Sequence, residues 1–187
     1  MDAKDRALLD LLSEMLAVEQ DGERLYSRFL EDAPEELREK LVEYAAQSRT
    51  GALVIEEAIR RLGGDPAYVS PGAQVAHGLT EAVLAATEDS PVRRWMYRLL
   101  HVLAFETRDR LIWRTLDALG DARGGETGDV LRMAATAVLS QEALGAHIAD
   151  RSEERIDFLL TAMERSLAHE LGAPVAPGRR RGLRRLR

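Results

Sequence analysis

Clusters of glycine and proline cut this chain into intervals too long and too periodic to be strands. They fall at Asp32-Ala33-Pro34, from Gly63-Gly64-Asp65-Pro66 to Ser90-Pro91, from Gly120 to Gly125, and from Gly172 to Gly178. The spacing predicts helices over about 4–31, 35–62 and 91–119, a fourth from Thr127 to near Asp150, and a fifth to about 171. Pro34 and Glu35 open the second helix. Ser90 as N-cap with Pro91 behind it opens the third. Asp150 with Glu153 forms a capping box for the fifth. The first two helices, and the third and fourth, are joined by short connections, which predicts two antiparallel hairpins. Nearly 30 residues separate the hairpins, with a shorter helical stretch at Leu79–Thr87. A helix of this length is roughly 42 Å long. The connection can span it and return the third helix parallel to the second.

Each helix carries an apolar stripe at alternating spacings of three and four, as helix-bundle packing requires. The first reads Leu8, Leu12, Met15, Glu19, Gly22, Tyr26, Phe29. The second reads Leu37, Leu41, Tyr44, Ser48, Gly51, Ile55, Ala58, Leu62. The third runs from Val92 through Trp95, Leu99, Val102, Glu106, Asp109 and Trp113 to Leu116. The fourth has Leu131, Ala135, Val138, Glu142 and Gly145. Polar residues interrupt every stripe, and counting from the turns puts Glu19, Ser48, Glu106 and Glu142 within roughly one helical turn of one height. Asp109 follows Glu106 on the same stripe. Buried carboxylates of this kind need protons, arginines such as Arg49 or Arg110, water or a cation. Gly22, Ser48, Gly51 and Gly145 are small residues at that level. They read either as a cavity for a small ligand or as a place where helices approach closely.

The first helix segment Glu19-Gln-Asp-Gly-Glu-Arg-Leu-Tyr26, the end of the second at Arg-Arg-Leu62-Gly63-Gly64-Asp65-Pro66, and the glutamates on the third and fourth helices resemble the ferritin-like superfamily over about residues 5–150. The resemblance implies an all-α fold: a ferritin-like four-helix bundle with a long crossover and an additional C-terminal helix. In the dimetal members, the first and third helices each give a Glu, and the second and fourth each give Glu-x-x-His. Glu19, Glu106 and Glu142 match. Ser48 and Gly51 match neither Glu nor His, and Gly145 stands where the second histidine belongs. The resemblance therefore implies a degenerate site with Glu19, Glu106, Asp109 and Glu142 as its metal candidates and both imidazoles gone. One divalent metal (Fe, Mn or Mg) or none is the cofactor expectation. An ordinary ferroxidase is not expected, because two close metals need nitrogen as well as carboxylate donors. A binding or stress-associated module leads; a carboxylate-only metal-dependent oxidase or hydroxylase is the enzyme alternative. His77 with Glu81, and His147 with Asp150, are minor metal pairs to check.

Cysteine is absent, which excludes disulfides, thiolate metal sites and cysteine nucleophiles. Six of the last nine residues are arginine, so the net −6 of the whole chain hides a body at −12. Residues 1–172 read as the helical bundle and 173–187 as a basic, disordered tail. The tail suits either an anionic partner or a solubilising end. The arginine- and alanine-rich composition suggests a bacterial source. The charged start and the absence of an apolar run of about 18 residues predict a cytoplasmic protein with neither signal peptide nor membrane span. Exposed bundle faces predict a homodimer.

Overall fold

The computed structural model describes residues 3–86, 91–142, 157–165, 168–169 and 172. Every regular element among them is helical: α1 Ala3–Leu30, α2 Glu35–Arg61, α3 Pro71–Ala85, α4 Pro91–Arg123 and α5 Gly125–Glu142. Residues 157–165 are also helical, within the span expected for the last helix; its start at Asp150 and the basic tail lie outside the described residues.

The predicted stripes are the buried ones. Leu8, Leu12, Met15, Tyr26 and Phe29 of α1 face inward, as do Leu37, Leu41, Tyr44, Ile55 and Ala58 of α2 and Trp95, Leu99, Val102, Trp113 and Leu116 of α4. Burying each large side chain contributes on the order of 1.5–3 kcal/mol, which is why the periodicity decides which face turns in. α1 packs on α2 and α4, and α5 packs on the same two helices, closing a four-helix ring. Phe29 meets Trp95, Tyr26 meets Glu106 and Glu19 meets Trp113. As α1 advances α4 recedes, so α4 is antiparallel to α1 and parallel to α2. The core is divided. One cluster gathers Leu12, Met15, Ile55, Trp113, Leu116 and Leu131; the other gathers Tyr26, Phe29, Leu41, Tyr44, Leu99 and Leu159. Glu19, Ser48 and Glu106 lie between them.

The connection after α2 is more helical than expected. The structure replaces the stretch Leu79–Thr87 with the full helix Pro71–Ala85. Its start uses the same Ser-Pro signal that marks α4: Ser70 Oγ accepts from the amide of Ala73 at 3.1 Å, and Pro71 takes the first helical position. α3 runs parallel to α1 along its outer side. Ser13 Oγ donates to the Tyr68 carbonyl at 2.7 Å and accepts from the Ser70 amide at 2.9 Å. Further along, Asp21 meets His77 and Arg24 meets Glu81. Ala17, Val18, Ala73 and Ala76 fill the seam between the two helices.

α4 also runs past its expected end. Gly120 lies inside the helix, and a Cβ there would stand 2.7 Å from Arg132 Cγ and 3.1 Å from the Gly128 carbonyl. That glycine lets α5 approach and does not break the helix. The turn itself is at Gly124 and Gly125, with φ of 60° and 59°. Only glycine holds that conformation without strain. Gly124→Ala is expected to lower unfolding free energy by about 1–2 kcal/mol, read from urea midpoints; an unchanged midpoint would show that the turn can relax.

Candidate functional site

The mid-bundle carboxylates come together as the stripes require. Glu19 is 4% exposed and Glu106 is 7% exposed. Trp113 Nε1 donates to Glu19 Oε1 at 2.8 Å, and Asp109 hydrogen-bonds the same carboxyl group. Trp113 is one turn beyond Asp109 on α4, so one face of that helix supplies both contacts. Tyr26 Oη donates to Glu106 Oε1. The Tyr26 ring is held edge-on by Tyr44 at 5.6 Å and by Phe105 at 6.0 Å.

Two carboxyl groups can hydrogen-bond one another only if a proton lies between them. The shift that this sharing produces falls on Glu19. Burial pushes its carboxyl well above the ordinary range, the charge of Asp109 and the hydrogen bond to it push the same way, and Glu106 adds to the effect. The indole N–H of Trp113 opposes this without reversing it.

The small residues explain how the Glu19 side chain fits. A Cβ at Gly51 would stand 2.5–2.8 Å from the three terminal atoms of Glu19, so its carboxyl leans across the bundle onto bare backbone of α2. A Cβ at Gly22 would stand 2.7 Å from both the Phe105 ring and Ser48 Oγ. The protein's own side chains, Phe105, Ser48 and Glu19, lie against the bare backbone at Gly22 and Gly51. Gly145 lies outside the described residues, as does the side chain of Glu142.

Arginine does not enter this cluster from Arg49, which pairs with Glu23 near the surface, Nε to Oε1 at 2.7 Å. The neighbouring Arg108 turns to Glu14, at 2.5 Å. The Arg110 side chain lies outside the described residues. Among the described residues, no group of three or more histidine, aspartate and glutamate side chains is arranged to hold a metal ion. Glu19 and Glu106 accept hydrogen bonds from Trp113 and Tyr26, while Oδ1 of the neighbouring Asp109 is buried without a hydrogen-bond partner.

The expected pairing of His77 with Glu81 is not the one found. His77 Nδ1 is 2.9 Å from Asp21 Oδ2, while Glu81 takes Arg24 at 2.5 Å. Asp21 is 1% exposed and was not legible as a site residue: it follows Glu19 by two positions and so faces away from the bundle centre, toward α3. Tyr26 and Trp113 were read only as apolar core, since nothing in a sequence shows which way a hydroxyl or indole N–H points. His147 and Asp150 lie outside the described residues.

Among the described residues no helix is long and apolar enough to cross a membrane. No protein-family model, curated protein or solved structure matches this chain.

Proposed function

We propose that the chain is a ferritin-like bundle whose mid-bundle carboxylates have been converted from metal ligands into a proton-satisfied polar core, and that it works as a non-ferroxidase binding or stress-associated module. One observation carries this reading. The Glu19 carboxyl rests on Gly51, the position where the resemblance expects a histidine on α2, and it is held there by Trp113 and Asp109. Losing the ligand side chain and making room for a folded-over carboxyl are the same change. An imidazole at that position and Glu19 in this conformation exclude one another sterically.

Metal binding tests it. The purified protein, incubated with Fe, Mn, Mg or Zn under air, is expected to hold no stoichiometric metal and to show no iron oxidation. Two irons per chain with oxidation would sink the proposal. About one ion per chain, lost in Glu19→Ala, would favour the carboxylate-only oxidase or hydroxylase.

A further inference from the structure

Helix α4 carries apolar residues on a second side, and that side is exposed along its length. Opposite its core stripe runs another set at the same three-four spacing: Tyr97, Leu100, Ala104, Thr107, Leu111 and onward to Arg114 and Ala118. All of these positions are exposed. Leu100 is 49% exposed and Leu111 59%. A surface helix ordinarily carries polar residues on its outer face. A regular stripe sustained over three heptads is the pattern of a helix that packs on another helix.

We infer that this stripe is a dimer seam, and that its occupant is α4 of a second copy running antiparallel. The sizes match only in that direction. Thr107 sits at the centre, and the other positions lie at matching distances on either side. Antiparallel pairing sets Tyr97 over Ala118, Ala104 over Leu111, and Leu100 over the aliphatic stem of Arg114, whose charged end reaches solvent. Every large side chain meets a small or flexible one, and Thr107 meets its own copy on the two-fold axis. Parallel pairing would stack Tyr97 on Tyr97 and Arg114 on Arg114 and leave Ala104 facing Ala104 across a gap.

The charges agree. The α4 start carries exposed Arg93, which also interacts within its own chain, and its end carries exposed Asp117 and Asp121. Asp121 also lies 3.6 Å from Arg132 of its own chain, yet its side chain is 73% exposed. Antiparallel pairing brings Arg93 toward both aspartates of the other copy, at both ends of the seam. The strip is about 33 Å long and one helix wide. With its flanks it would bury on the order of 1,000 Å² in total, at the lower bound for a specific interface. The seam is separate from the mid-bundle carboxylates, so it stands whether or not they bind metal.

Sedimentation equilibrium of the full chain tests this. A dimer is expected at chain concentrations up to about 200 µM. Leu111→Glu places a charge in the seam and should give a monomer with an unchanged helical circular dichroism signal. Leu53→Glu, on the outer face of α2, where Leu53 is 60% exposed, should stay dimeric. The chain has no cysteine, so introduced ones report geometry directly. Thr107→Cys alone should form a disulfide-linked dimer under mild oxidation. Tyr97→Cys alone should not, whereas Tyr97→Cys combined with Ala118→Cys should. A monomer up to about 200 µM, a dimer that survives Leu111→Glu, no cross-link at position 107, or cross-linking of Tyr97→Cys by itself would overturn the inference. Should Leu111→Glu fail to fold, the cysteine variants decide.

Discussion

Glu19→Gln is expected to stabilise the protein, and by more as the pH rises. In the folded chain the Glu19 carboxyl holds its proton to a higher pH than a free glutamate does, because burial and the neighbouring Asp109 oppose its ionisation. In the unfolded chain it titrates as an ordinary glutamate near pH 4.3. Between those two values the folded state binds one more proton than the unfolded state, so stability falls as pH increases. The sign follows from the raised folded value: the contribution of Glu19 is fully present below about pH 4.3 and is lost progressively up to its folded value. The slope across that window is about 1.4 kcal/mol per pH unit. Glutamine has the same shape and carries no proton to lose. Its Oε1 accepts from Trp113 as Glu19 Oε1 does at 2.8 Å, and its amide can donate to Asp109 in place of the shared proton. At pH 4 the variant and the parent should unfold at similar temperatures. By pH 8 the parent should fall several degrees below the variant. Thermal unfolding of both proteins over pH 4–9 measures it. Parallel pH profiles, or a parent that gains on the variant as pH rises, would show that Glu19 is ionised in the fold and that its charge is met by something else.

Much of this architecture was readable before any coordinate. The three-four stripe of α1 from Leu8 to Phe29 is buried residue for residue, as are the central positions of α2 and, apart from the half-buried Asp109, of α4, because helical periodicity is local and burial follows from it. The parallel return of α4 follows from a connection long enough to span a helix. What escaped the sequence was contact geometry between distant segments. Ser70-Pro71 carries the same signal as Ser90-Pro91, but α3 presents alanines to α1, and a seam of small residues gives no strong apolar stripe. The Asp21–His77 contact joins residues 56 apart on helices whose relative rotation cannot be counted from turns. At the carboxylate level, spacing put Glu19, Ser48 and Glu106 at one height, with Asp109 a turn further on, and said nothing about Trp113 and Tyr26 as donors. The fate of a glycine is likewise invisible in sequence. Gly120 admits a neighbouring helix and Gly51 admits a carboxyl group, although both look like the same missing side chain.

Gly51→Ala should be strongly destabilising, although in an open helix the change would help. Alanine is favoured over glycine by about 1 kcal/mol in a helix interior. Here the added methyl would stand 2.5 Å from Glu19 Cδ and 2.6 Å from its Oε1, closer than any ordinary contact. The carboxyl must then leave Gly51. Withdrawing it breaks the 2.8 Å bond from Trp113 and the bond to Asp109, and it leaves a buried indole N–H without an acceptor. Overpacking costs about 1–3 kcal/mol, and an unsatisfied buried donor another 1–3 kcal/mol. Against the helical gain, the net expectation is a loss of about 2–4 kcal/mol, read from urea unfolding. Truncating the carboxyl side chain separates the two contributions. In a Glu19→Ala background the methyl meets no carboxyl group, so Gly51→Ala should there become neutral or favourable. That reversal is the coupling expected of residues in contact. A loss of the same size in both backgrounds would mean that Gly51 is required by the backbone of α2, and that Glu19 merely lies beside it.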